Sequence, residues 1–199
     1  MASLKEVKGR IASVNSTLKI TSAMKMVASA KLHRAQGAIE NMLPYERKLN
    51  EILSGFLSAE GASNSPYAEK REVGRVAIVA VSSNSSLCGA FNANVAKKLQ
   101  ETIEHAYGHL RKEDIRILAV GKKIADVARK MGYPSEGDFQ RLSDKPTYKE
   151  AAQLAERLMQ MFINHEVDRV ELIYNHFKSV STQVMTHETY LPISTEKKE

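Results

Sequence analysis

Apolar residues recur three and four positions apart over the first fifty-seven residues, which is the spacing of one face of an α-helix. The first part of this stripe follows a heptad rhythm: Leu4, Val7, Ile11, Val14, Leu18 and Thr21. The stripe then shifts by one position and continues through smaller or more flexible side chains: Met24, Ala28, Leu32, Ala35, Ile39 and Met42. Ser3 and Glu6 have the spacing of a capping box at the start of a helix. The pattern predicts one long helix over residues 1–57, with a kink or a restart at Pro44.

A helix of this length is too long to pack entirely on the rest of the chain. At about 1.5 Å of rise per residue it spans roughly 85 Å, whereas a compact chain of this size has a diameter of roughly 36 Å. A sustained heptad stripe makes a helix wind around a second helix. We therefore expect a projecting arm that is half of a coiled coil. The alternative is an ordinary amphipathic helix packed on its own domain.

The spacing of apolar residues changes after residues 58–72, which form a linker with many small and turn-forming residues. Three continuous apolar runs predict strands that are covered on both faces: 76–81, 115–120 and 170–174. Helical spacing occurs in the stretches between them: 94–109, 122–131 and the region that follows a second capping box at Thr147 and Glu150. This alternation of strands and helices predicts a parallel sheet with crossover helices.

The connection after the third strand decides the topology. Asn175–Ser179 is too short for a parallel crossover, so the next β-rich run, Val180–Ile193, must be antiparallel to the third strand. Tyr133–Pro146 has no firm pattern and could hold a short strand. The predicted fold class is α/β: a long N-terminal coiled-coil helix plus a Rossmann-like α/β sandwich with an antiparallel edge strand over residues 73–193, followed by a charged tail at 194–199.

The positive charge of the chain is concentrated on the predicted long helix. Seven Lys and Arg residues but one acidic residue, Glu6, precede Glu40, so the whole net charge of +6 lies there. A basic helix can bind nucleic acid, an anionic membrane surface or acidic loops of a partner protein. No aromatic residue precedes Tyr45 to stack on bases or to anchor in a membrane. We therefore expect a protein partner and no nucleic acid; a basic coiled-coil nucleic-acid adaptor is a weaker alternative.

Composition excludes two classes of protein. No stretch approaches 18 consecutive apolar residues, and the N-terminus lacks the apolar run of a signal peptide, so we expect neither a membrane-spanning segment nor secretion. The single cysteine, Cys88, cannot form an internal disulfide.

The loop after the first predicted strand, Ser82–Asn92, is where a Rossmann-like fold would hold a ligand. It contains neither G-x-G-x-x-G nor a Walker motif, so the backbone that binds phosphates is missing. Gly121–Lys123 could hold a stray anion at a helix start. Cys88 has no histidine near it in sequence to activate it as a nucleophile. We expect an interaction protein with no catalytic residue, cofactor or metal; the alternative is a nucleotide-binding α/β enzyme with an oligomerisation helix.

Three parts of the sequence carry a family resemblance: Arg10–Val14 with Lys19–Ala28 and Lys31–Gln36, then Ser86–Asn92, and then Val170–Phe177. In this order they resemble the N-terminal helix and the second and third motifs of the gamma subunit family of F-type ATP synthases. The resemblance covers the whole chain. It implies an antiparallel coiled coil of N- and C-terminal helices inserted in a hexamer of catalytic and non-catalytic subunits, with the α/β domain near the membrane ring.

The same resemblance implies a function and a set of partners. The function is that of the central-stalk rotor of a proton-translocating ATP synthase, which couples ion-driven rotation to conformational change in the catalytic subunits and is not catalytic itself. The implied partners are the alpha and beta subunits of the catalytic hexamer, the epsilon subunit and the membrane c-ring. The implied location is peripheral, on the cytoplasmic face of the inner membrane.

The resemblance also assigns candidate partner-binding residues. Carried over by position, Met24 and Lys25 lie where the helix passes acidic loops of the catalytic subunits. Lys31 and Arg34 join them by charge, and Cys88 with its loop flanks the same region.

The sequence departs from the family at two places. Asn84 and Ser86 stand where the family usually has Asp and Gly, which weakens what the resemblance implies for that loop. The sequence stops at Ser194–Glu199, where the family continues into its C-terminal helix. We therefore expect a truncated form whose missing partner is the C-terminal helix of its own chain, and an arm that pairs with another copy, folds back or is disordered.

Overall fold

A computed structural model describes residues 3–58, 65–133 and 135–193 of the chain. The chain divides into two compact units, Met1–Phe56 and Leu57–Glu199. Each unit has its own architecture and is described by itself. The charged tail at 194–199 and part of the predicted linker, residues 59–64, lie outside the described residues.

The first unit is formed by one helix, α1, which spans Leu4–Ser58. Its start agrees in part with the predicted capping box: the Glu6 amide donates to Ser3 Oγ at 3.3 Å, while the Glu6 carboxylate pairs with Arg10 one turn later, at 2.9 Å. The helix continues through Pro44, so the predicted restart there is wrong. Proline removes a single amide donor, and the turns on both sides retain their own hydrogen bonds. Within the described residues, no helix is apolar enough over a sufficient length to cross a membrane.

The second unit is built on a four-stranded sheet in the order β2-β1-β3-β4. The strands are β1 Val76–Val81, β2 Ile115–Val120, β3 Arg169–Ser179 and β4 Thr182–Leu191. β1 pairs in parallel with both β2 and β3, and β4 is antiparallel to β3. The predicted α/β class with an antiparallel edge strand is confirmed.

Helices cover both faces of this sheet: α2 Phe91–Ala106, α3 Lys122–Lys130, α4 Gln140–Asp144 and α5 Tyr148–Ile163. Side chains that alternate along β1 belong to different cores, because successive residues of a strand point to opposite faces. Ile78 packs with Leu99 of α2 and Ile124 of α3, whereas Val79 packs with Phe162 of α5. Two apolar cores therefore explain why β1 is a continuous apolar run.

The hairpin of β3 and β4 is longer than the sequence pattern predicts. Asn175–Ser179, predicted as a connection, is the second half of β3. It is paired with β4, for example Asn175 with Met185, and the turn consists of Val180 and Ser181. Polar residues continue a strand when an antiparallel partner satisfies their backbone groups. The predicted antiparallel direction is nevertheless correct.

The segment between α3 and α5 contains a helix where the sequence left room for a strand. Ser135 forms an isolated parallel bridge with Ile117, and α4 follows a few residues later. The start of α5 agrees in part with the predicted capping box, because the Thr147 hydroxyl caps the helix but the Glu150 carboxylate bonds to that hydroxyl. The Glu150 amide donates to Thr147 Oγ1 at 3.3 Å, and that hydroxyl donates to the Glu150 carboxylate at 2.8 Å.

Candidate functional site

The apolar stripe of α1, which we call the seam, is exposed to solvent. It consists of Leu4, Val7, Ile11, Val14, Leu18, Met24, Leu32, Ile39 and Met42 with the small residues between them; Ile39 is half-buried and the other large residues are exposed. Leu18 is 62% exposed and Met24 is 55% exposed. Full burial of a side chain of this size stabilises by about 1.5–3 kcal/mol. A second helix that covered the seam would therefore gain a large apolar contact.

Four of the predicted partner-binding residues lie within three turns of α1. Met24 is part of the seam, and Lys31, seven positions later, returns to nearly the same face at about 100° per residue. Lys25 and Arg34 lie on opposite sides of the seam, and all four residues are exposed. Flexible methionine between cations is suited to an acidic protein surface, because the thioether adapts its shape and the cations attract carboxylates.

The positive charge of α1 is largely uncompensated by the chain itself. Arg10 pairs with Glu6. The other cations before Glu40 are exposed and form no ion pair within the residues that the structure describes: Lys5, Lys8, Lys19, Lys25, Lys31 and Arg34. Exposed like charges on one helix repel each other, so an acidic partner would relieve this repulsion.

Cys88 lies in the second unit, in the loop between β1 and α2, and is partly buried. Asn92 holds this loop: its Oδ1 accepts from the Ser83 amide at 3.0 Å, and its Nδ2 donates to the Ser85 carbonyl at 2.9 Å. The same Nδ2 donates to Cys88 Sγ at 3.0 Å. The thiol thus accepts one of the hydrogen bonds that hold this turn together. This arrangement favours a structural role for Cys88 over a role as a nucleophile. Within the described residues, no group of three His, Cys, Asp or Glu side chains could hold a metal.

The carboxyl end of β1 is where a Rossmann-like enzyme would bind a nucleotide, and here the chain fills that position with its own oxygens. The first amides of α3 are the donors that would bind a phosphate. The Lys122 amide donates to Asn84 Oδ1 at 2.7 Å, and the Ile124 amide donates to Ser82 Oγ at 3.0 Å. Gly121, with φ of 105°, lies so close to Ser82 that a Cβ would be 2.3 Å from its carbonyl oxygen. The Lys123 amide also donates, to the Ser83 carbonyl at 3.3 Å, so the amides of residues 122–124 at the suggested anion site are already occupied.

Asn84 has a structural role in this arrangement. Its Oδ1 caps α3, and its Nδ2 donates to the Gln140 carbonyl at 2.9 Å. A carboxylate in the same place could cap the helix but could not donate to a carbonyl. The amide therefore joins the start of α3 to α4, which an aspartate cannot do.

A buried polar cluster joins α2, β3 and β4, and sequence reasoning missed it. The Tyr107 hydroxyl donates to Glu171 Oε1 at 2.5 Å, and His187 Nε2 bonds to Glu171 Oε2. Arg169 Nη1 lies 3.8 Å from Glu171 Oε1. The Glu171 side chain is 5% exposed. One signal was available, since an acidic residue inside a strand covered on both faces requires a partner.

Burial and hydrogen bonding act in opposite directions on this cluster. Burial by itself raises the pKa of Glu171, but hydrogen bonds from His187 and Tyr107 and the nearby charges hold the pKa of this carboxyl below its ordinary value. Burial, together with the hydrogen bond to the Glu171 carboxylate, raises the pKa of Tyr107. The cluster is therefore a carboxylate held by neutral and cationic donors.

Comparison with known proteins gives consistent matches along the whole chain. A family model described as ATP synthase matches residues 3–199. The ATP synthase gamma chain of Phocaeicola vulgatus is 61% identical over 201 residues, which cover 100% of this chain and 69% of the relative. That of Bacteroides thetaiotaomicron is 62% identical over 193 residues, which cover 97% of this chain and 64% of the relative. The chain thus spans about two thirds of the length of these curated relatives.

Two solved structures share the fold. The central stalk and c-ring structure of Tetrahymena thermophila mitochondrial ATP synthase contains a chain with a TM-score of 0.63 and 23% identity, over 87% of this chain and 72% of that chain. A chain of the Euglena gracilis mitochondrial ATP synthase rotor has a TM-score of 0.56 and 17% identity, over 94% of this chain and 62% of that chain. At these identities the likeness concerns the fold.

Proposed function

Because this chain belongs to the ATP synthase gamma chain family, we propose that it is a non-catalytic rotor subunit of the central stalk. In this role it couples ion-driven rotation to conformational change in the catalytic subunits. The observation that carries the proposal is 61% identity to a gamma chain over the full length of this sequence. The self-capped start of α3 agrees with it, since a nucleotide enzyme would leave those amides free for phosphate.

The geometry of α1 suits a shaft. A shaft must be stiff, and α1 is one helix of 55 residues. Its seam supplies an apolar face for a second helix, with heptad spacing in the first part. The cations on both sides of the seam remain available to surrounding subunits when the seam is covered. In this proposal a second, antiparallel helix of the gamma chain covers the seam, and the alpha and beta subunits surround the pair.

Specific contacts follow from the same proposal. Met24, Lys25, Lys31 and Arg34 contact acidic loops of the catalytic subunits, because they combine adaptable apolar surface with unpaired positive charge. The loop that contains Cys88 contributes to the same interaction. The α/β unit contacts the epsilon subunit and the c-ring, and the assembled protein is peripheral on the cytoplasmic face of the inner membrane.

Co-assembly tests the proposed function directly. The gene product is co-expressed with the alpha, beta and epsilon subunits of the same organism, and the complex is purified through a tag on the beta subunit. We expect the chain to co-purify with an ATP-hydrolysing complex. A gene product that does not associate with these subunits, although they assemble with each other, contradicts the proposal.

Charge reversal tests the contact residues. Lys25→Glu should weaken the interaction with acidic loops roughly 5- to 10-fold, because an attractive pair becomes a repulsive one. Proton pumping per ATP hydrolysed, measured in reconstituted vesicles, reports the coupling. Lys149→Glu, a matched reversal at an exposed position of α5, is the control. If Lys25→Glu and Lys149→Glu pump the same number of protons per ATP hydrolysed, Lys25 is not part of the contact surface. The co-assembly experiment tests the proposed function independently of this result.

A further inference from the structure

A cavity of about 390 Å³ lies in the α/β unit, beside the start of β3 and the end of β4. Its lining consists of three cations, one hydroxyl and two apolar residues: Lys70, Arg71, Arg169, Thr189, Pro192 and Ile193. No acidic side chain lines this cavity within the part of the chain that the structure describes. Its volume is in the range of pockets that hold small ligands.

Arg71 is fixed in place by its neighbours. Its Nε donates to Glu69 at 3.0 Å, and its Nη1 donates to the Phe162 carbonyl at 3.0 Å. The guanidinium lies 4.2 Å from the centre of the Phe162 ring. The side chain is 12% exposed, whereas the Glu69 side chain is 55% exposed. The cation is thus preorganised, and its carboxylate partner is largely in solvent, where it neutralises the charge weakly.

Arg169 has donor capacity that the described part of the chain does not use. Its Nη1 faces Glu171 at 3.8 Å, and its side chain also hydrogen-bonds Tyr107. Its Nε is a buried donor without a hydrogen-bond partner among the described residues. This Nε is not accessible from the cavity, but the Arg169 side chain is 39% exposed, so the accessible part of its guanidinium contributes positive charge to the lining. Lys70 is exposed and adds a mobile ammonium group.

We propose that this cavity binds a phosphate group. A phosphate dianion accepts several hydrogen bonds at once, and arginine, lysine and a hydroxyl are the donors that bind it best. Arg71 and Arg169 supply fixed positive charge, Thr189 supplies a hydroxyl, and Lys70 closes over the anion. Pro192 and Ile193 form an apolar wall against which the organic part of a phosphate ester packs. The site lies outside the α1 surfaces that carry the proposed function and does not depend on it.

Phosphorus NMR titration and calorimetry with inorganic phosphate test this site on the full chain, against chloride at matched ionic strength. We expect saturable binding at one site with a dissociation constant on the order of 1 mM. Lys70→Gln should weaken it about fivefold, because one ion pair is lost. Lys149→Gln removes the same charge from an exposed position of α5 and should leave the affinity unchanged. Circular dichroism verifies that both variants remain folded.

A vesicle assay distinguishes the two sources of the phosphate group. Flotation with phosphatidylglycerol vesicles, compared with phosphatidylcholine vesicles, measures recognition of a lipid headgroup. Binding to phosphatidylglycerol that Lys70→Gln weakens and Lys149→Gln does not, without saturable binding of inorganic phosphate, assigns the site to a lipid. Saturable phosphate binding with the same variant pattern assigns it to a soluble phosphate. Equal effects of the two variants, or no binding in either assay, overturn the proposal.

Discussion

Single polar side chains hold the α/β unit together at positions that an apolar pattern does not reveal. Glu171 lies in a strand that reads as apolar, yet its carboxylate joins Tyr107 of the α2 end to His187 of β4. Asn84 likewise joins α3 to α4 through both ends of its amide. Buried polar groups of this kind fix one arrangement of the elements, because any other arrangement leaves them unpaired.

Glu171→Gln should lower the free energy of unfolding of the α/β unit and should make that free energy less dependent on pH in the acidic range. The hydrogen bonds from His187 and Tyr107 hold the pKa of Glu171 below its ordinary value in the folded state. Its contribution is therefore present above about pH 4.5 and is lost as the pH falls through the lowered folded-state pKa. We expect the free energy of unfolding near neutral pH to fall by about 3 kcal/mol, because one partner of a buried charged cluster is removed.

Urea denaturation between about pH 3 and pH 7 measures this effect. The difference between the parent and Glu171→Gln should shrink below about pH 4.5, where the Glu171 carboxyl of the unfolded parent becomes protonated. Glu156→Gln, at an exposed position of α5, is the matched control and should leave the profile unchanged. A constant difference between parent and Glu171→Gln over the whole pH range would show that the carboxylate charge is not what stabilises the cluster.

At the scale of elements, glycine is required in one turn of this chain but weakens its long helix. Gly121 connects β2 to α3 with φ of 105°, and a Cβ there would overlap the Ser82 carbonyl. Gly9 lies inside α1, and a Cβ there would meet nothing within 4 Å. The turn requires glycine for both conformation and space, whereas the helix is weakened by it.

Alanine at these two positions should have effects of opposite sign. Gly121→Ala should destabilise the α/β unit by about 2–4 kcal/mol, through backbone strain and the overlap with Ser82. Gly9→Ala should stabilise α1 by about 0.5–1 kcal/mol, since alanine loses less conformational entropy in a helix. Thermal unfolding of the α/β unit measures the first, and far-ultraviolet circular dichroism on heating measures the second. Each variant serves as the control for the other unit; a change of the same sign in both would contradict the account.

Element boundaries show where sequence patterns succeed. The buried runs of β1 and β2 were predicted to the residue, because strands covered on both faces must be apolar throughout. The second half of β3, Asn175–Ser179, was predicted as a connection because it is polar and its pairing depends on β4. α4 was missed because five residues carry too little periodicity to distinguish a helix from a loop.

At the scale of the whole molecule, the two units differ in what stabilises them. The α/β unit has two buried apolar cores, one on each face of its sheet. α1 has an exposed seam, and an isolated helix gains little stability from its own hydrogen bonds. The seam must therefore be covered for α1 to reach comparable stability.

In the absence of other subunits, we expect the chain to self-associate through the seam. Leu18→Lys places a charge in the seam and should shift the chain toward a monomer, because the charge must be desolvated in the contact. Ser16→Lys adds the same charge on the opposite face of α1 and should leave the association unchanged. Light scattering coupled to size exclusion measures the mass over a range of concentrations. A parent chain that remains a monomer at the highest concentration, with its helix content intact, contradicts this expectation.

The sequence by itself determined the long helix, the class of the sheet and the family, because each depends on local periodicity or on a continuous motif. The heptad spacing of α1 and the apolar runs of β1 and β2 are properties of neighbouring residues. The tertiary structure alone decided which polar groups meet. Glu171 finds Tyr107 64 positions away, and Arg71 shares a cavity with Arg169. Such contacts depend on how distant segments of the chain pack together, so they cannot be predicted from the pattern of neighbouring residues.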